Sequence, residues 1–94
     1  MIDKLMRKYG YKKTHESRYC VRYEKYHTRF KFTQCIDICH KANMENIMIS
    51  YDKEPIKGTY KNETCGVEVP VLLLCWIKAK QLSIKYKLEE EKND

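Results

Sequence analysis

Glycine and proline are scarce, with three and two in 94 residues. Gly10, Gly58 and Gly66 stand far apart, so no glycine-rich loop is available to cradle a phosphate. No nucleophile sits on a strand-to-helix elbow, and no close carboxylate pair is set up for acid and base work. The longest apolar run, Val69 to Ile77, falls well short of the roughly 20 residues that span a bilayer. At the N-terminus Ile2, Leu5 and Met6 are interrupted by Asp3, Lys4 and Arg7, which is not the pattern of a secretory leader. The expectation is a cytoplasmic protein with no membrane contact. The five cysteines are odd in number, which argues against a complete disulfide framework and for reduced thiols.

Ninety-four residues suit one domain, large enough for a core but too small for a deep cavity walled by several loops, so a non-enzymatic binding module is expected rather than an enzyme. Leu, Ile, Val and Phe are modest in number, and eight tyrosines supply much of the buried area. The net charge of +6 is uneven. Residues 1–31 carry ten Lys or Arg against Asp3, Glu16 and Glu24, a net +7, and the rest is close to neutral. A field so localised attracts phosphate or an acidic protein surface.

Ile2, Leu5, Met6 and Tyr9 recur at helical spacing and Gly10 ends the turn, so a short amphipathic helix opens the chain, with Tyr11 to Glu16 as a lead-in. Tyr19, Val21 and Tyr23 then alternate with Cys20, Arg22 and Glu24. A turn at His27-Thr28 sets Tyr23 opposite Phe32, Tyr19 opposite Ile36 and Cys20 opposite Cys35, with Glu24 facing Lys31. A second turn at Ala42-Asn43 pairs Ile38 with Ile47 and Ile36 with Ile49, all pointing inward with Phe30, Phe32 and Tyr51. Residues 52–68, holding Pro55, Gly58 and Gly66, read as a long loop. Val69-Pro70 opens a longer helix in which Val71, Leu72, Cys75, Ala79, Leu82 and Tyr86 form one buried stripe and Leu73, Ile77, Ile84 and Leu88 a second. Residues 83–88 also alternate with period two, leaving a strand there as an alternative, and Glu89 to Asp94 reads as a solvated tail. The fold class is α+β: a three-stranded antiparallel meander with both helices on one face, ordered α-β-β-β-α.

On that reading the other face of the sheet bears Arg22, Arg29, Lys31, Cys20, Cys35, Cys39 and Met48 and is free for a partner, or for a second copy. Cys35, Cys39 and His40 suggest a metal site, but on a strand the two thiols lie about 13 Å apart and the imidazole points away, so no metal or other cofactor is expected. The stronger pattern is cations interleaved with aromatics around the first hairpin. Arg18, Arg22, Lys25, Tyr26, His27, Arg29 and Lys31 are the partner-binding candidates, with Tyr11 a further stacking ring and the Asp52 to Gly66 loop a second contact region.

Two resemblances bear on the partner. The α-β-β-β-α order is similar to the double-stranded RNA-binding domain, with His27 in the first hairpin loop. That family's lysine-rich clamp opens its last helix, where this chain has Val67, Glu68, Val69 and Pro70, and Lys78-Ala79-Lys80 lies well inside the helix. The segments Leu5 to Lys13, Tyr23 to Tyr26 and Ile49 to Lys53 resemble small proteins of phages and prophages of low-GC Gram-positive bacteria. That likeness implies an accessory protein that occupies a surface on a host machine, as anti-CRISPR inhibitors do. Direct binding of double-stranded RNA or DNA is the alternative expectation.

Overall fold

The computed structural model describes residues 1–40, 46–53 and 66–93, with side chains as far as residue 86. The protein is α+β: helix α1 (Ile2–Lys8), strands β1 (Lys12–Glu16), β2 (Cys20–His27), β3 (Phe32–Cys39) and β4 (Ile47–Asp52), then helix α2 (Val69–Asn93). The strands form one antiparallel sheet in chain order, β1-β2-β3-β4.

The sheet therefore has four strands, not three. Lys12–Glu16, read as a lead-in, pairs along β2 with an irregularity between Lys13 and His15. No apolar alternation marks β1, because its side chains are mostly exposed or tied up in ion pairs. What joins it to β2 is a tight turn: the Ser17 N–H donates to Cys20 O at 2.8 Å, and Ser17 Oγ accepts from the N–H groups of Tyr19 and Cys20. At the other end, α1 stops at Gly10, whose φ of 92° favours glycine and which lies against the Lys25 stem.

The β2–β3 register places Tyr23 opposite Ile36 and Val21 opposite Ile38. This differs by an even number of residues from the expected pairing, so both strands keep their inward residues but the connection lengthens to residues 28–31. Lys31 closes it with a φ of 51°. Phe30 and Tyr19 then lie beyond the paired core and are exposed, Glu24 faces Cys35 rather than Lys31, and Cys20 faces Cys39 rather than Cys35.

The β3–β4 pairing slips by one residue, which exchanges the two faces of β4. Ile38 pairs with Met48 and Ile36 with Ser50, so Met48 packs on the core while Ile47 and Ile49 are exposed. The expected turn at Ala42-Asn43 lies outside the described residues. Two bonds hold the observed register: Gln34 Nε2 donates to Ser50 Oγ on the inner face, and Tyr51 donates to Asp37 on the outer one, each at 2.8 Å.

Both helices cover the inner face. Ile2 and Met6 of α1 and Val71, Cys75, Ala79, Leu82 and Tyr86 of α2 close over Val21, Tyr23, Ile36 and Ile38. Each fully buried aliphatic side chain contributes about 1.5–3 kcal/mol. The first α2 stripe is buried as its spacing indicates, except Leu72. Leu73 and Ile84 of the second stripe face solvent, because one sheet can bury only one side of a helix. Residues 83–88 are helical, and the helix continues to Asn93.

Polar groups fasten the helices to the sheet edge. Asp3 accepts from the Tyr23 hydroxyl at 2.6 Å and pairs with Lys13 at 3.0 Å and Lys78 at 3.5 Å. Glu16 pairs with Lys13, Lys78 and Lys85. Burial pushes the Asp3 carboxyl up, but the Tyr23 hydroxyl and the two lysines outweigh it and hold it at about 2.

Candidate interaction surface

The outer face of the sheet is not a free cationic surface. Arg22 lies opposite Asp37 and grips it with two bonds, Nε to Oδ1 at 2.8 Å and Nη2 to Oδ2 at 3.2 Å. The bond to Asp37 pushes the Arg22 guanidinium further up. Burial, then the same carboxylate, pushes the Tyr51 phenol up. Beside this triad Lys53 pairs with Glu24 at 2.7 Å. Arg22, one of the partner-binding candidates, points outward as expected, and its charge is matched by Asp37.

Lys25 and His27 lie on the inner side of β2 and face inward partners. Lys25 Nζ reaches Glu68 Oε1 at 3.2 Å and sits 5.1 Å from the Tyr11 ring centre, while the Tyr11 hydroxyl donates to Glu68 Oε2 at 3.0 Å. Tyr11 is fully buried and so is no stacking platform for a base. Burial pushes the Glu68 carboxyl up, but its own backbone amide, Lys25 and Tyr11 bring it below the usual range. His27 stacks on Phe32, with ring centres 4.4 Å apart and planes within 3°. Its Nε2 meets Gln34 Oε1 at 2.7 Å. Gln34 Nε2 donates to the Gly66 carbonyl at 2.8 Å, which orients the amide, so Oε1 is the acceptor and His27 carries its proton on Nε2.

The tip of the hairpin holds what remains of the candidate set. Tyr26 is 59% exposed on the outer side, and Phe30 is 71% exposed at the apex. The Arg29 guanidinium lies 5.5 Å from the Phe30 ring centre, and Lys31 follows in the turn. Among the described residues neither Arg29 nor Lys31 has an ion-pair partner. Arg18 is brought to the opposite end of β2, about 23 Å away at 3.3 Å per residue, beside the exposed Tyr19 ring. The seven candidates therefore divide into a tip group of Tyr26, Arg29 and Lys31, the inward-facing Lys25 and His27, one neutralised arginine and one distant arginine. Phe30 belongs with the tip: its alternation alone points to the core, and only the longer connection reveals its exposure.

A second exposed surface runs along α2. Val69, Leu72, Leu73, Trp76 and Ile84 face solvent, Trp76 by 60%, with Lys80 Nζ 5.5 Å from its ring centre. Beside them an open groove of about 470 Å³ is bounded by Leu72, Trp76 and Lys80 on the helix and by Ile47 and Met48 on β4. His40 donates from Nδ1 to Asn46 Oδ1 at 2.8 Å, and Asn46 in turn donates to Ala79 O and Ser83 Oγ, closing one end of the groove. The Asp52 to Gly66 contact region falls largely on residues 54–65, outside those described.

Among the described residues no three of His, Cys, Asp and Glu come together in a way that could hold a metal ion. No helix among them is long and apolar enough to cross a membrane. Comparison of the chain with protein-family models, with curated proteins and with solved structures found no match.

Proposed function

We propose that this protein acts without catalysis, by docking the tip of its β2–β3 hairpin on a macromolecular partner. The reading is that of a phage-type accessory protein that occupies an acidic surface of a host nucleic-acid-handling or CRISPR-type defence complex. The observation that carries it is the apex itself: Phe30 and Tyr26 stand in solvent beside Arg29 and Lys31. Exposed aromatics and arginine are the residue types that dominate binding energy at interfaces. Charge supports the same direction, since among the described residues the tip cations have no counter-ion while Arg22 and Lys25 have theirs.

Two measurements test this. Titration with duplex RNA, duplex DNA and single strands at about 50 and 200 mM salt separates phosphate binding, which weakens by orders of magnitude over that range when several cations take part. Capture from nuclease-treated bacterial lysate with the wild type, and with a variant carrying R29A, F30A and K31A, examines protein docking. A host protein retained only by the intact tip supports docking. Tight, salt-sensitive binding of bare nucleic acid supports the alternative; if neither is observed, the tip has no docking role.

A second reading is favoured by α2. The net charge of +6 opposes association everywhere except on a neutral face, and residues 69–77 carry no charge at all. The stripe Val69, Leu73, Trp76, Lys80 and Ile84 runs along the exposed side of α2 and could meet the same stripe of a second copy. It spans about 23 Å of helix at 1.5 Å per residue. One helix face of that length is narrower than the roughly 800 Å² per partner of a standard interface, so the dimer is expected to be weak. Sedimentation between 10 and 500 μM (roughly the range of weak association) should show a concentration-dependent dimer that W76E abolishes. A monomer throughout removes this reading.

A further inference from the structure

We propose that Cys20 and Cys39 are a redox modification site, a dithiol at the base of the β2–β3 hairpin that closes into a reversible cross-strand disulfide on meeting a peroxide. Their sulfurs are 3.9 Å apart, and the residues are direct partners across the two strands. The neighbouring pair, Tyr19 and His40, carries a ladder bond, His40 N–H to Tyr19 O at 2.7 Å. Cys20 and Cys39 thus occupy the next, non-hydrogen-bonded position. There the Cα atoms of an antiparallel pair approach to about 4.5 Å and the side chains are closest. That separation lies inside the window a disulfide bridges.

Access and selectivity favour the same two thiols. Both are half-buried rather than enclosed, whereas Cys35 and Cys75 are buried. Cys35 lies four residues from Cys39 along β3, about 13 Å away, and Cys75 belongs to the core stripe of α2. Burial, and then the adjacent Cys39 thiol, pushes Cys20 up to about 11. The step balances with Cys39 attacking and Cys20 resolving, and it balances equally with the two roles exchanged. Cys39 Sγ attacks a peroxide oxygen, giving a sulfenic acid and one water. Cys20 Sγ then displaces the hydroxyl from that sulfur, the S–S bond forms, and a second water leaves. Two thiols and one peroxide become one disulfide and two waters.

The bond would close a loop of about 20 residues containing the whole hairpin, tip included, and the gain is entropic in the unfolded chain. This site is independent of what the tip binds. The test is peroxide treatment of the freshly reduced full chain, followed by non-reducing peptide mapping by mass spectrometry. Expected is a linked Cys20–Cys39 peptide lighter by two hydrogens, reversed by dithiothreitol, retained in C35S and absent in C39S. The melting temperature should rise on the order of 10 °C. Linkage of any other pair, sulfinic or sulfonic acid at Cys39 without linkage, or unreacted thiols would overturn the proposal.

Discussion

Tyr51 donates its phenolic proton to Asp37 Oδ2 at 2.8 Å, from one strand to the next on the open side of the sheet. The bond exists only because β4 is set one residue away from the pairing that would have buried Ile47 and Ile49. Asp37 thereby satisfies both Arg22 and Tyr51 while itself nearly buried.

Replacing this carboxylate should be costly. D37N leaves the guanidinium without its counter-charge and weakens the acceptor for Tyr51, so a loss of about 2 kcal/mol in urea unfolding is expected. Y51F removes a single bond and should lose about 1 kcal/mol. Equal effects of the two would argue against Asp37 as the shared acceptor.

The register makes its own prediction through neighbouring residues of β4. Met48 packs on the core and Ile49 is half exposed. M48T should therefore destabilise by about 1–3 kcal/mol, and I49T should stay within about 0.5 kcal/mol of wild type. The reverse order, read from thermal melts of the two variants, would return β4 to the other face.

Gln34 is buried to 1% exposure and joins β2, β4 and the start of the α2 lead-in through His27, Ser50 and Gly66. Q34L keeps the volume but strands the Gly66 carbonyl and the His27 proton. A loss of about 2–3 kcal/mol is expected in chemical denaturation. Amide exchange should quicken in residues 66–68 more than in β1.

Acid should loosen the helices from the sheet. The folded Asp3 carboxyl titrates at about 2, below its ordinary 3.8, and Glu16 is shifted in the same direction: burial raises it, but Lys85 and Lys78 outweigh that. A depressed carboxyl stabilises the fold fully above its unfolded value and loses that contribution as pH falls toward the folded one. Between about pH 5 and 2 the melting temperature should drop, with Asp3 accounting for on the order of 1–2 kcal/mol after solvent screening. In D3N the same titration should be shallower.

The sequence by itself determined the periodicities. Alternation in Val21–Tyr23 and Ile36–Ile38, and helical spacing through Val71, Cys75, Ala79, Leu82 and Tyr86, specify a sheet roofed by helices because burial of apolar faces depends only on which side chains recur together. Tertiary structure decided the offsets between those elements. A pattern of period two is satisfied equally by registers two or four residues apart, so the length of the 28–31 turn, and with it the exposure of Phe30, could not be read from alternation. Nor could the pairing of Arg22 with Asp37, of Lys25 with Glu68 or of Cys20 with Cys39. Each depends on a partner 15 to 43 positions away, brought opposite only once the strands and the α2 lead-in have settled.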